Sequence, residues 1–165
     1  MFLNKRYAQA SVAFLRAGRD REAAICDAYL LREKARLIST AAGTARARAF
    51  VTAANAFITC AQDSPSKQVN ERLAYHGAAG ECYSEARDLK NAGDQYRMAE
   101  QYSAAACAYE EGERFDEMTE VITQHGGALS GVLLERLTTV ARTHYFKVYF
   151  TVGSFPSISN PFPSA

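Results

Sequence analysis

The fold is decided by residues 83–125, YSEARDLKNAGDQ-YRMAEQYSAAACA-YEEGERFDEMTEV-ITQH. The hyphens separate blocks of 13 residues, which open with Tyr83, Tyr96, Tyr109 and Ile122. The residue three positions later is usually small: Ala86, Ala99, Gly112, then His125. Nine positions after each tyrosine come Ala92, Ala105 and Met118. Because about ten residues make nearly three helical turns, each block predicts a short helix and a turn of about three residues.

Helices this short are only marginally stable alone, so the pattern predicts that they stack on one another. We expect each aromatic ring to fit over an alanine of a neighbouring helix. The same offsets of three and nine occur earlier in the chain, at Phe14, Ala17 and Ala23. Short helices that bury their faces only by stacking on their neighbours form an α-solenoid, which is the architecture we expect here.

The rest of the chain also has helical periodicity. A first helix is expected to end at Gly18. The second has a predicted buried stripe of Ala24, Ala28, Leu31, Ala35 and Ile38. A third ends near Gln62, and Ser64 with Pro65 predicts the start of the next. Since strand patterns are absent before the C-terminal segment, we predict an all-α fold, a solenoid of about eight antiparallel helices over residues 1–143.

The C-terminal segment, residues 144–165, departs from this pattern. From Thr151 onward it contains three of the four prolines and no Asp, Glu, Lys or Arg. Because proline cannot extend a helix, we expect an irregular, disordered tail. The abrupt change of composition after Phe150 leads to the hypothesis that the tail is translated non-coding sequence or a truncated gene model. Transcript sequencing through Thr151 tests this hypothesis.

Charge is unevenly distributed along the chain. Residues 1–50 hold ten Lys/Arg and four Asp/Glu, whereas residues 51–125 hold six and thirteen. Such asymmetry can steer a partner of opposite charge, and solvated helix faces explain it equally well. The candidate partner-binding residues are Arg16, Arg19, Arg32, Arg36, Glu110, Glu111 and Glu113. We do not expect nucleic-acid contact, because no row of Lys or Arg accompanies the tyrosines.

Residue patterns of known active sites are absent from the sequence. His76, His125 and His144 form no HExxH or HxH pair, and no cysteine has metal-ligand spacing. The glycine-rich segment 126–131 lacks the lysine of a phosphate-binding loop and is interpreted as a turn that breaks a helix. No Gly-x-Ser-x-Gly elbow occurs. We therefore predict that the chain is not an enzyme and uses no cofactor and no metal.

The cellular setting is inferred from cysteines and hydropathy. Four cysteines are spread along the chain without a CxxC pair: Cys26, Cys60, Cys82 and Cys107. We predict that they are reduced, buried thiols, which favours a cytoplasmic or nuclear protein. No apolar run reaches the roughly 18 residues of a membrane span. The N-terminus also lacks the pattern of a secretory signal, so we expect neither membrane insertion nor secretion.

Residues 76–99 resemble a tetratricopeptide repeat. Gly80 and Tyr83, followed by Ala92, Tyr96 and Ala99, match the small and aromatic positions of that family. The later units recur after 13 or 26 residues rather than 34, and the closing proline is missing. The segments 79–83 and 109–115 also resemble the helical arrays of large fungal tetratricopeptide-and-ankyrin-repeat proteins, in which the array accompanies a helicase-like ATPase domain.

This second resemblance implies that ATP binding belongs to another part of a parent protein. The expected function is a non-catalytic protein-interaction or scaffold module that binds a protein, a peptide or an adjacent domain. The SNAP adaptors of vesicle fusion have a similar style of sequence and give the alternative. An adaptor of that kind requires a complete array of longer helices, and the 13-residue units argue against it.

Overall fold

The structure is a computed structural model that describes the backbone of residues 2–152 and the side chains of residues 5–149. It contains eight α-helices in this range and no strand, which confirms the all-α prediction. A short 3-10 helix at Gly126–Ala128 separates the last two α-helices. The helices are α1 (Phe2–Arg16), α2 (Asp20–Leu37), α3 (Gly43–Gln62), α4 (Val69–Glu85), α5 (Leu89–Met98), α6 (Tyr102–Glu111), α7 (Phe115–His125) and α8 (Gly131–Val152).

The 13-residue period is visible in the three short helices, since α5, α6 and α7 begin at residues 89, 102 and 115. The residues predicted nine positions after each tyrosine, Ala92, Ala105 and Met118, are fully buried. Ala23, at the equivalent position of the early echo, is buried as well. The spacing therefore predicted the short helices, and the structure shows that the residues repeated at this offset are ones that the helices bury.

One turn geometry connects the short helices. Arg87, Glu100 and Glu113 follow the helix ends and have φ of 62°, 57° and 55°, in the left-handed region. The next amide in each turn closes a hydrogen bond five residues back, such as Asp88 N to Tyr83 O at 2.9 Å. Gly18, with φ of 68°, occupies the same place between α1 and α2. Because only glycine adopts this conformation freely, the other three turns retain some backbone strain.

Tyrosine rings of one helix lie directly on glycines of the preceding helix. A Cβ built on Gly80 would lie 2.7 Å from the ring of Tyr96, and one built on Gly93 would lie 2.4 Å from the ring of Tyr109. Real Cβ atoms do not approach other atoms this closely. The rings therefore do fit over small residues of a neighbouring helix, but these are glycines and not the predicted alanines, because the rings lie too close for a Cβ atom.

Each helix packs mainly on its neighbours in the chain, and α6 also contacts α8. Two clusters of buried side chains result, one centred on α2 to α4 and one on α6 to α8. Tyr96 of α5 packs against both clusters and so connects them. Sequential packing is the property that the solenoid interpretation requires, and that interpretation stays a prediction.

Two details of the sequence-based helix predictions are wrong. Ala24 is exposed, and its neighbour Ala23 is buried instead, because α2 turns a slightly different face toward α1 and α3. Ser64 and Pro65 do not start a helix, since α4 begins at Val69. The Ser64 hydroxyl instead donates to the Cys60 carbonyl oxygen at 2.7 Å, an interaction that extends the end of α3.

The predicted irregular tail also needs correction, because α8 continues through residues 144–152. Tertiary contacts stabilise this extension. His144 stacks on Phe115 with ring centroids 3.9 Å apart, and the Tyr145 hydroxyl donates to Asp116 Oδ1 at 2.6 Å. The remainder of the predicted tail, residues 153–165, lies outside the described residues.

Candidate functional site

The even-numbered helices are connected by ion pairs. Arg32 of α2 contacts Glu81 of α4 at 3.4 Å between Nη1 and Oε2. Arg136 of α8 contacts Glu110 of α6 at 2.5 Å between Nη1 and Oε1. Two further pairs, Arg46–Glu85 at 2.7 Å and Arg87–Glu111 at 2.6 Å, bring α3 and the turn after α4 into the same network. These ion pairs thus bring together basic and acidic residues that are far apart in the sequence.

Aromatic rings support the arginines of this network. The Arg32 guanidinium lies 5.0 Å from the ring centroid of Tyr29 and 5.5 Å from that of Phe57. Arg46 lies 5.0 Å from the ring centroid of Phe50. Such cation–π contacts hold a guanidinium in one orientation and leave its nitrogen atoms available to carboxylates.

A cleft of about 640 Å³ opens within this network, and we call it the charged cleft. Its lining residues are Arg36, Glu81, Ser84, Glu85, Arg87, Tyr96 and Glu111. Every lining side chain is charged or carries a hydroxyl group, and the ring of Tyr96 is the one aromatic surface among them. The cleft therefore suits a polar, charged segment of a partner rather than an apolar ligand.

A second cleft, of about 480 Å³, lies at the other end of α4, and we call it the Arg72 cleft. Ala61, Val69, Leu73 and Met98 give it an apolar floor and rim. Its polar lining residues are Gln62, Ser64, Arg72, His76 and Glu100. His76 is buried, and its Nδ1 donates to Gln95 Oε1 at 2.9 Å, which fixes the imidazole between α4 and α5.

The basic candidate residues are distributed over different surroundings. Arg16 lies on the exposed face of α1, and Arg19 pairs with Glu22 beside the ring of Phe14. Arg32 and Arg36 both belong to the charged network, where Arg36 also contacts Glu33 at 2.7 Å. Of the four basic candidates, only Arg36 lines the charged cleft, and Arg32 is connected to it through its ion pair with Glu81.

Two of the three acidic candidate residues form ion pairs with arginines of the same chain, which the sequence did not indicate. Glu110 and Glu111 pair with Arg136 and Arg87, as described above, and only Glu111 lines the charged cleft. Glu113 is exposed in the turn before α7 and lies beside His144 in a separate, smaller cleft. Arg19, Arg32, Arg36, Glu110 and Glu111 thus have partners within the chain, and the opposite charge of the two ends stays a prediction.

Sequence reasoning missed four important residues: Glu81, Glu85, Arg87 and Arg72. A partial signal exists for Glu81 and Glu85, which are four apart and therefore share one face of α4. The local sequence around Arg72 and Arg87 does not identify either residue as part of a site, because each one reaches its cleft only through the packing of other helices.

The cysteines form no disulfide. Cys60 and Cys82 are buried as predicted, whereas Cys26 and Cys107 are partly exposed. Burial raises the pKa of the Cys82 thiol to about 11, and it raises the pKa of Cys60 as well. Both groups are therefore protonated and weakly nucleophilic at neutral pH.

Tyr109 and Asp94 form a polar contact at the edge of the core. The Tyr109 hydroxyl donates to Asp94 Oδ1 at 2.6 Å, and Lys90 contacts Asp94 Oδ2 at 2.8 Å. Burial alone would raise the pKa of Asp94, but hydrogen bonds from Lys90 and Tyr109 outweigh it and hold the pKa below its usual value. Burial, together with the neighbouring carboxylate, raises the pKa of Tyr109.

Residues 2–152 contain neither a cluster of metal ligands nor a helix that could span a membrane. No group of three or more His, Cys, Asp or Glu side chains in this range is arranged to hold a metal ion. No helix among the same residues is both long and apolar enough to cross a membrane. No family model, curated protein or solved structure matches the chain. Functional inference therefore rests on its own residues.

Proposed function

We propose that the chain is a non-catalytic protein-interaction module whose charged cleft receives a peptide segment of a partner. The observation that carries this proposal is the cleft itself, in which carboxylates and guanidiniums from α2, α4, α6 and the turn after α4 converge. A stack of short helices supplies a long, rigid surface of this kind without a deep pocket.

Binding in this cleft would proceed by exchange of ion pairs. The Arg87 side chain is 74% exposed and that of Glu111 is 52% exposed. Exposed pairs of this type contribute only about 0–1 kcal/mol. A partner with its own charged side chains can therefore replace them at little cost, and the order of charges along the cleft would select the partner.

The test uses the whole chain and a displayed library of random 12-residue peptides. Selected peptides are compared on the wild type and on a variant with Glu81→Lys and Glu111→Lys, which reverses two charges of the cleft. We expect a consensus that contains charged residues, and we expect at least tenfold weaker binding to the variant. Circular dichroism checks that the variant remains folded.

Glu135→Lys is the matched control, because Glu135 is exposed on α8 and lies outside the cleft. This control should bind the selected peptides like the wild type. If no consensus emerges, or if the cleft variant binds as well as the control, the proposal is wrong.

We further propose that the module is an accessory segment of a larger protein with a helicase-like ATPase domain. The support is the resemblance of segments 79–83 and 109–115, together with the stacked short helices. Long-read sequencing of the full transcript tests this: a phosphate-binding motif in the same reading frame would support the proposal, and its absence would refute it. No observation favours the SNAP-like alternative, since α5, α6 and α7 have only 10, 10 and 11 residues.

A further inference from the structure

We infer that the Arg72 cleft is a second binding site, and that it takes a peptide segment in which a large apolar side chain is next to a carboxylate. The site is distinct from the charged cleft. Arg72 and Ser84, which line the two clefts, are twelve positions apart on α4, which corresponds to about 18 Å along the helix axis.

The carboxylate preference follows from the surroundings of Arg72. Arg72 is a partly buried residue that lines the cleft, and its guanidinium forms no hydrogen bond or ion pair with any described residue. Half-buried arginines elsewhere in the chain differ: Arg21 contacts Glu71 at 2.6 Å, and Arg97 contacts Glu120 at 3.1 Å. Because no side chain among the described residues occupies its donors, this guanidinium can form charge-assisted hydrogen bonds with a carboxylate from outside.

The apolar preference follows from the rim and floor. Met98 at the end of α5 is 59% exposed, and Val69 at the start of α4 is 42% exposed. Leu73 and Ala61 continue the apolar surface between them. An apolar side chain inserted here would remove Val69, Leu73 and Met98 from water above the buried Ala61, and methionine adapts readily to different side-chain shapes.

Glu100 sets the direction of the peptide. It lines the same cleft from the turn after α5 and forms no ion pair with Arg72. A second carboxylate of the peptide near Glu100 would be repelled. The peptide carboxylate therefore lies at the Arg72 side of the cleft, and the side near Glu100 takes an uncharged or basic residue.

The experiment measures fluorescence polarisation with the whole chain and three labelled nonapeptides of sequence Gly-Ser-Gly-X-Leu-Gly-Gly-Ser-Gly. Residue X is Glu, Gln or Lys. We expect the Glu peptide to bind about tenfold more tightly than the Gln peptide, and the Lys peptide to bind more weakly still. Arg72→Gln should remove the difference between the Glu and Gln peptides, Met98→Ser should weaken both, and Glu100→Gln should strengthen the Glu peptide.

Arg48→Gln is the matched control, since Arg48 is an exposed arginine about 20 Å along α3 from Ala61. Arg48→Gln should leave the affinities of all three peptides unchanged. The variant with Glu81→Lys and Glu111→Lys in the charged cleft should also leave them unchanged. A failure of the Arg72 cleft to bind these peptides can therefore be distinguished from a failure of the charged cleft to select peptides from the library. The inference is overturned if X has no effect on the wild type, if Arg72→Gln keeps the preference, or if no peptide binds at about 1 mM. Self-association that Arg72→Gln abolishes would assign the cleft to a second copy of the chain and would also overturn it.

Discussion

Replacement of Gly93 by alanine should destabilise the protein, although alanine is the better helix former. Gly93 lies inside α5, where the exchange to alanine gains about 1 kcal/mol of helix propensity. The added Cβ would lie 2.4 Å from the Tyr109 ring, so the ring must move. Tyr109 is fully buried, and its hydroxyl is held by Asp94 at 2.6 Å, so no direction of movement is free.

The net effect can be estimated from these terms. Overpacking of a core costs about 2 kcal/mol, and weakening a hydrogen bond to a charged group costs about 1.5 kcal/mol. Against the gain of about 1 kcal/mol in propensity, Gly93→Ala should lower the free energy of unfolding by about 2.5 kcal/mol. Urea unfolding followed by circular dichroism measures this difference, and the midpoint should fall with an unchanged slope.

Gly77→Ala provides the matched control, because Gly77 is also a buried glycine inside a helix. The Cβ at this position would meet the Nε2 atom of Gln101 at 2.8 Å, and that amide is the end of a flexible, exposed side chain. It can move aside, so this variant should gain up to about 1 kcal/mol. Equal stability of the two variants would refute the reasoning. The double variant with Gly93→Ala and Tyr109→Leu gives a second test. If the Cβ of Ala clashes with the Tyr109 ring, removing the ring relieves the clash, and the two changes in the free energy of unfolding should differ from additivity by about 1 kcal/mol or more. Additive changes would also refute the reasoning.

Three further predictions concern the turns, the thiols and the response to acid. Glu100→Gly should raise the free energy of unfolding by about 1 kcal/mol, and Gly18→Ala should lower it by a similar amount, because both residues have positive φ. Thermal unfolding measures both changes. A shift of the two midpoints in the same direction would contradict the prediction. Cys82 should react with iodoacetamide at pH 8 at least tenfold more slowly in the native protein than in urea, because burial raises the pKa of its thiol. Peptide mapping measures the two rates. Equal rates would show that the thiol is accessible in the native protein. Because the pKa of Asp94 is lower in the folded protein, its carboxylate stabilises the fold at pH values above its unfolded pKa, and this contribution is lost as the pH falls through the native pKa. Asp94→Asn should therefore reduce the loss of stability between neutral and acid pH. An unchanged dependence of stability on pH would exclude a stabilising role of the Asp94 carboxylate.

The sequence was most informative where helix, turn and packing repeat together. The burial of Ala92, Ala105 and Met118 followed from the 13-residue spacing, because a fixed helix length presents the same face each time. It was less informative at irregular junctions. Ser64 and Pro65 have the local signature of a helix start, yet the Ser64 hydroxyl bonds back to α3. Local preference was overridden there by a competing hydrogen bond.

The candidate site was only partly predictable for a related reason. Arg36 and Glu111 were identified as charged surface residues, but their meeting in one cleft depends on which helices become neighbours. Glu81 joins them because α4 packs near α2, and Arg87 because a turn directs it toward α6. The unpaired state of Arg72 is likewise a property of its neighbours and not of its own sequence context.

The sequence by itself determined the all-α class and the three short helices. These properties depend on hydrogen bonds and side-chain periods that span only a few residues. Tertiary structure alone decided the ion pair between Arg32 and Glu81, which are 49 residues apart, and the helical state of residues 144–152. The physical reason is that a side chain's partners are fixed by helix packing, which brings distant residues together and adds contacts that outweigh local preference.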